Sequence, residues 1–337
     1  MTARVGISRR TGLDLIRVGA AYAVFAVHSP MAGGLEMPLS DHGQFGVPVF
    51  FALSGFLIYR PFLRGPVRLG DYASRRVLRL VPALALVTVG IGLLWPTLSA
   101  SITTVMWSLF VEAGFYLALP AIARLVRGRE LRGVLLMGVG SLVFSELIPA
   151  PPVMRLYEAV HLPWWLWAFS AGMVLAVLER DHRAWLRPYL ALAGVPILAF
   201  GWLSGSELWM VASEPLVVLG ATVMMAGLLD WEPGRGGRLA SLAADASYPF
   251  YLWHLPLLLA FGGFYSFSGA PLTLTVAAIT SAVSVASVLL VERPLRDLWM
   301  RLRRSSSTRV VHQSVGPEVH AVERLDRTPK PVSPDVL

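Results

Sequence analysis

The chain has 337 residues, of which 55% are hydrophobic and 15% charged, with a formal net charge of +8 and no cysteine. A soluble domain carries about 25% charged residues, so this composition marks an integral membrane protein. The lack of cysteine excludes disulfides, thiolate metal sites and a thioester on the protein itself.

Apolar runs of roughly 16 to 22 residues predict an all-α polytopic protein with about ten transmembrane helices. They cover 13–31, 44–62, 78–96, 104–123, 132–149, 162–178, 188–204, 208–229, 240–262 and 271–291. The runs are continuous, not alternating, so a β-barrel is not expected. The opening MTARVGISRR has no small-residue cleavage site and predicts a retained first helix. Arginines gather in every second loop, on one side. Arg4, Arg9 and Arg10 precede the first run, and Arg64, Arg68, Arg75 and Arg76 follow the second. Arg124, Arg127, Arg129 and Arg132 follow the fourth, Arg180 and Arg183 the sixth, and Arg235 and Arg238 the eighth. Arg293, Arg296, Arg301, Arg303 and Arg304 follow the tenth, while the opposite loops hold Arg155 alone. The positive-inside rule therefore predicts a multi-pass protein of the cell membrane with both termini cytoplasmic. The same asymmetry accounts for the positive charge without a nucleic-acid partner. Residues 1–304 read as one transmembrane domain and 305–337 as a disordered cytoplasmic tail, rich in Ser, Pro and charges.

The first run carries Asp14, Arg17 and His28. Eleven residues turn a helix by about 1100°, so Arg17 and His28 share one face roughly 16 Å apart. Ionisable groups at such depth are costly and mark functional cavities. In the second run Ser54 and Gly55 form a small-residue notch, and Arg60 closes it at the cytoplasmic surface. Arg75, Arg76 and Arg79 form a guanidinium patch if the third helix begins near Tyr72. Such a patch suits either a phosphorylated ligand or anionic lipid headgroups. In the fourth run Trp107 reads as an interfacial anchor, which puts Glu112 about five residues below the outer boundary. Glu112 has no neighbouring cation in sequence. The ninth run buries His254 beyond Tyr248 and Tyr251. His28, Glu112 and His254 thus come from three helices at comparable predicted depth, as a converging acid/base site would require. Glu292 and Arg293 read as a surface ion pair. No metal-ligand spacing is present.

Seven segments in order resemble the membrane acyltransferase 3 family. They are RTGLDLIRVGAAYAVFAVHS, FGVPVFFALSGFLI, RRVLRLVPAL, WSLFVEAGFYLALP, FSAGMVLAVL, SYPFYLWHLPL and VERPLR. The resemblance implies ten helices and transfer of an acyl group from a coenzyme A thioester to a hydroxyl of a saccharide, glycolipid or secondary metabolite. It also implies an essential role for Arg17 and His28, and an association of Arg76 and Arg79 with the donor. Two departures stand out: Pro48 replaces the acidic residue of many members, and only 24 residues separate Pro82 from Trp107.

The reading is therefore an O-acyltransferase using acyl-CoA, by default acetyl-CoA, with no tightly bound cofactor or metal. His28, Glu112 and Arg17 are the candidate catalytic residues. Arg75, Arg76, Arg79 and Arg60 are the candidate donor-binding residues, and His254, Ser54 and Tyr251 the candidate substrate-binding ones. His28 acts either as general base or as a transiently acylated nucleophile. The rival reading is a proton-coupled transporter or flippase of a glycolipid, with the buried His and Glu as a proton relay. The lack of an internal repeat counts against it.

Overall fold

The computed structural model describes residues 11–37, 40, 45–148, 162–182, 188–203, 210–231 and 236–302. Arg4, Arg9, Arg10, Arg155, Arg183, Arg235, Arg303, Arg304 and the tail 305–337 lie outside the described residues. Among the described residues there are ten α-helices and no strand beyond an isolated bridge between Gly34 and Gly269. They are α1 (Thr11–Met31), α2 (Gly46–Arg64), α3 (Leu69–Leu94), α4 (Ser99–Leu125), α5 (Glu130–Leu147), α6 (Leu162–Asp181), α7 (Tyr189–Leu203), α8 (Met210–Leu228), α9 (Gly237–Gly263) and α10 (Gly269–Ser287). A π turn, Val288–Glu292, continues α10 into a helical segment that reaches Leu302.

Each apolar run of the sequence lies on one of these helices. Five helical stretches are long and apolar enough to cross a membrane by length and composition: Gly46–Arg64, Leu69–Leu94, Pro96–Leu125, Leu162–Asp181 and Gly269–Leu302. Polarity keeps α1 and α9 out of that group, and their position in the bundle explains it. α9 packs between α1, α10, α4 and α3, and buries seventeen residues along its length, His254 and Asp245 among them. Helices that line a protein interior can carry groups that lipid would reject. α3 and α10 with its π turn show the opposite pattern, with Val77, Val81, Val89, Leu93, Leu274 and Leu290 exposed on their outer faces. Without a membrane those side chains have nothing to cover them.

Two boundaries differ from the sequence reading. α3 begins nine residues early, at Leu69, because the basic segment before the apolar run is itself helical and Pro82 is accommodated inside it. α4 begins at Ser99, joined to α3 by a single 3-10 turn at Pro96–Leu98. This tight hairpin accounts for the short Pro82–Trp107 interval. It also moves Trp107 eight residues into α4, where its ring meets Trp165 at 5.3 Å and Phe51 at 6.4 Å. Trp107 is thus part of the aromatic packing and not an end-of-helix anchor. Glu112 accordingly sits thirteen residues into α4, or about 20 Å along it, much deeper than the sequence suggested.

Side-chain contacts show which helix ends lie together. Arg60, one turn before the end of α2, pairs with Glu179 on the last turn of α6 at 2.7 Å. Arg180 on α6 reaches Glu130 at the start of α5 at 3.5 Å. At the opposite end, the turn after α1 is stapled to α10: Gly269 N–H donates to Gly33 O at 2.8 Å and Leu35 N–H to Thr273 Oγ1 at 2.7 Å. Pro30, which has no N–H, releases the carbonyl of Ala26, and Ser40 Oγ donates to it at 3.0 Å.

α2 and α6 meet through glycine. A Cβ on Gly172 would collide with the backbone carbonyl of Ala52, and one on Gly55 with that of Phe169. Phe169 then stacks between Phe51 (4.6 Å) and Phe115 (4.1 Å). Close backbone approach of this kind is how membrane helices gain packing energy. Gly172→Ala is expected to cost about 1–3 kcal/mol, because rigid backbone and not a flexible side chain must move. A lowered thermal midpoint in detergent, with the Gly140→Ala variant as an unaffected control, is the measurement; open space surrounds Gly140.

Candidate active site

Two polar assemblies occupy the interior, linked by Tyr251. The first is a cavity bounded by α1, α2, α3, α4 and α9, with about 700 Å³ of space between atoms, part of it open to solvent. Arg17, Arg76 and Arg79 line it, together with Ser54, Ser108, Glu112, Tyr116, Tyr248 and Tyr251. Apolar walls come from Phe50, Phe51, Leu53, Leu57, Leu80 and Leu109.

The early start of α3 creates the cationic wall. Arg76 and Arg79 lie three residues apart on one face, and the faces of Tyr72 and Tyr116 flank the Arg76 guanidinium at 5.7 and 5.6 Å. Tyr72 OH donates to Tyr116 O at 2.9 Å, which fixes α3 against α4. Arg76 Nε is buried without a hydrogen-bond partner. None of Arg17, Arg76 and Arg79 forms an ion pair among the described residues. Among the residues lining the cavity, three guanidiniums therefore meet one carboxylate, while Asp14 and Glu292 act on Arg17 and Arg79 from outside that lining.

That carboxylate, Glu112, is held by hydroxyls. Ser54 Oγ donates to Glu112 Oε1 at 2.6 Å, and Tyr116 OH donates to the same oxygen at 2.5 Å. Tyr116 is four residues beyond Glu112, a spacing that puts both on one helix face and could have been read from the sequence. Tyr248 OH donates to Leu80 O at 3.1 Å. At the far end of the cavity, Tyr251 OH lies 2.8 Å from Ser108 Oγ and donates to Val105 O at 3.0 Å.

The second assembly is a histidine pair. His28 Nδ1 is 2.8 Å from Val24 O and 3.3 Å from His254 Nε2, and the two rings tilt by 62° with centroids 5.0 Å apart. His254 is 1% exposed, with its Nδ1 2.6 Å from Tyr251 O and its ring centroid 5.6 Å from that of Tyr251.

Set against the sequence reading, the structure brings some candidates together and separates others. Arg17, Arg76, Arg79, Ser54, Glu112 and Tyr251 share the cavity, and His28 meets His254. Glu112 does not reach His28, because the early start of α4 carries it to a different level and its bonds go to Ser54 and Tyr116. Arg75 is exposed on the side of α3 away from the cavity lining. Arg60 turns to α6, forked onto both oxygens of Glu179 at 2.7 and 3.1 Å. Glu292 and Arg293 do not pair with each other. Glu292 is buried in the π turn against Ser287 Oγ at 3.2 Å, and Arg293 bridges to Asp245 at 3.1 Å.

The placement of Glu112 gives a prediction. In Glu112→Gln the amide oxygen can still accept from Ser54 and Tyr116, while the cavity loses its only negative group among the lining residues. The fold and kcat are expected to survive within about tenfold, with the KM of an anionic substrate unchanged or lower. Glu112→Ala, which strands both hydroxyls, is expected to lower thermal stability instead. Turnover and detergent midpoint measured on the same preparations separate these outcomes; collapse of kcat in the stable Gln variant would return Glu112 to the chemical step.

Fold and interior together define a helical membrane protein with a cationic cavity beside an imidazole pair, His254 buried and His28 half-buried. The model of the family described as acyltransferase domain matches residues 10–292, and the chain belongs to that acyltransferase family. It is thus a membrane acyltransferase. It is 29% identical over 299 residues to the exopolysaccharide production protein ExoZ of Rhizobium meliloti (strain 1021), covering 80% of this chain and 92% of that one. It is 25% identical over 309 residues to nodulation protein 10 of Rhizobium leguminosarum bv. viciae, covering 73% and 82%. No solved structure matches the chain.

Proposed function

We propose that the enzyme moves an acyl group, acetyl by default, from acyl-CoA to a hydroxyl of a saccharide, glycolipid or secondary metabolite. The observation that carries the donor is the convergence of Arg17, Arg76 and Arg79 on one cavity against a single carboxylate. Guanidiniums that form no ion pair among the described residues suit an anionic ligand, and the planar fork of arginine matches phosphate. A coenzyme A thioester supplies phosphates at one end and an apolar arm toward the acyl group, in keeping with the aromatic and leucine walls. A saccharide acceptor draws support from the name of the exopolysaccharide production relative.

In this reading ten helices cross the cell membrane, and the arginine-rich end faces the cytoplasm. Phosphates bind at Arg17, Arg76 and Arg79, and the thioester lies toward Tyr251 and the histidine pair. His28 takes the proton of the acceptor hydroxyl at Nε2 as the oxygen attacks the thioester carbonyl. The carbon–sulfur bond then breaks, and the departing thiolate receives that proton from His28. Glu112 has no part in orienting the imidazole; it tempers the positive charge of the cavity.

Purified protein incubated with acetyl-CoA labelled in the acetyl group and a panel of polysaccharides, lipid-linked sugars and hydroxylated metabolites tests the reading. The expected result is release of free coenzyme A in step with labelling of one acceptor class. Movement of a glycolipid across vesicles with no consumption of acetyl-CoA would favour the transporter instead.

A further inference from the structure

The histidine pair contains more information than its proximity. A carbonyl oxygen can only accept a hydrogen bond, so a ring nitrogen in contact with one must carry the proton. Tyr251 O lies 2.6 Å from His254 Nδ1, and Val24 O lies 2.8 Å from His28 Nδ1. In a neutral imidazole only one nitrogen is protonated, so both Nε2 atoms are bare. The 3.3 Å contact between the rings joins His254 Nε2 to His28 Nδ1. It therefore pairs a lone pair with an N–H, and the proton on His28 Nδ1 is shared between Val24 O and His254 Nε2. Each ring is set by a backbone carbonyl of its own helix, four residues back in α1 and three residues back in α9.

We propose that His254 is the positioning residue of the reaction: its bare Nε2 holds His28 in the Nδ1–H form, so that His28 Nε2 is the basic nitrogen offered to the acceptor hydroxyl. This rests on His28 acting as the base. The order is Tyr251 carbonyl, His254, His28, acceptor hydroxyl. A neutral imidazole takes the place that a carboxylate fills in a hydrolase triad, and it suits a site where His254 is 1% exposed. When the acceptor O–H bond breaks and its proton joins His28 Nε2, the imidazolium strengthens its Nδ1–H bond to His254. The acceptor oxygen bonds to the acyl carbon, the carbon–sulfur bond gives its electrons to sulfur, and sulfur takes the proton back from His28. His254 begins and ends neutral with its proton on Nδ1. This assignment moves His254 from substrate binding to the support of the base.

Two measurements test this. The first needs no turnover: nitrogen NMR of full-length protein with 15N-labelled histidine in detergent, with His28→Gln and His254→Gln spectra assigning the signals. Both rings are expected as the Nδ1–H tautomer, with a coupling across the hydrogen bond from His28 Nδ1 to His254 Nε2. Finding His254 as the Nε2–H tautomer overturns the proposal and leaves acyl transfer by His28 standing. The second is kinetic. His254→Phe keeps the volume and is expected to lower kcat roughly 10²-fold with KM for acetyl-CoA within about twofold. His254→Gln can present Oε1 where Nε2 stood and is expected to recover at least about tenfold of that loss. Equal loss in correctly folded Phe and Gln variants, or a change in KM alone, overturns it. Should His254→Phe not fold, the tautomers of the wild-type protein and the rate of the Gln variant decide. If the wild-type protein consumes no acetyl-CoA, the acyl-transfer reading fails, whatever the tautomers show.

Discussion

Purified His28→Ala protein is expected to insert and fold but to lose acyl transfer by at least about 10²-fold, the low end of what a positioned general base contributes. Replacing an imidazole with a methyl group makes α1 more apolar, so membrane insertion gains. The fold loses one shared hydrogen bond to Val24 O and His254 Nε2, a cost of about 1 kcal/mol, with small displacement of the thermal midpoint. A collapse of kcat beside a nearly unchanged midpoint is therefore the signature. The KM for acyl-CoA should hold, since His28 is not among the residues lining the cationic cavity. Near-normal turnover in a well-expressed His28→Ala preparation would remove the general base from the mechanism.

Arg76→Ala and Arg79→Ala are expected to act on the donor instead. A charge-assisted hydrogen bond contributes about 1.5–3 kcal/mol, so each loss should raise the KM for acyl-CoA by about ten- to 150-fold. The KM for the acceptor should change far less. Lysine at either position should rescue only in part, because a point charge cannot replace the fork or the stack of Arg76 between Tyr72 and Tyr116. Arg60→Ala supplies the contrast. Its guanidinium is forked onto Glu179, so its loss is expected to lower thermal stability and leave the KM for acyl-CoA unchanged. Unaltered acyl-CoA kinetics in the Arg76 and Arg79 variants would assign the pair to lipid headgroups.

Much of the architecture is legible in the sequence because apolar runs of membrane length find few alternatives to a helix. Helix starts are less legible. Residues 69–77 carry charges and precede the apolar run, yet they open α3, and residues 99–103 open α4 although they read as loop. Those shifts matter for the site. Depth counted from Trp107 put Glu112 level with His28, whereas depth counted from Ser99 separates them. Periodicity locates a residue along and around its own helix, but the rotation of that helix against its neighbours is set by packing. Arg75, Arg76 and Arg79 look alike in sequence, and only the docking of α3 on α4 through Tyr72 and Tyr116 decides which two face inward. Arg60 likewise needed the distant Glu179, which no spacing rule connects to it. The two histidines are conspicuous as buried ionisable groups, but their order as donor and acceptor depends on carbonyls that become visible only in three dimensions.

The span between those histidines also dictates how the enzyme is made. His28 and His254 are 226 residues apart in the chain. At about 5–20 residues per second, a ribosome needs roughly 10–45 s to deliver the second after the first. Throughout that interval α1 waits with Arg17 and His28 facing no α9, and the turn after α1 has no α10 to receive the clasp of Gly33 and Leu35. A nascent chain in this condition is a poor lipid neighbour and an attractive client for the insertion machinery. Catalytic competence should therefore arrive in one late step, when α9 slides in beside α1. Truncation just before that helix leaves about two thirds of the chain, without His254 or Tyr251, and is expected to be chemically inert.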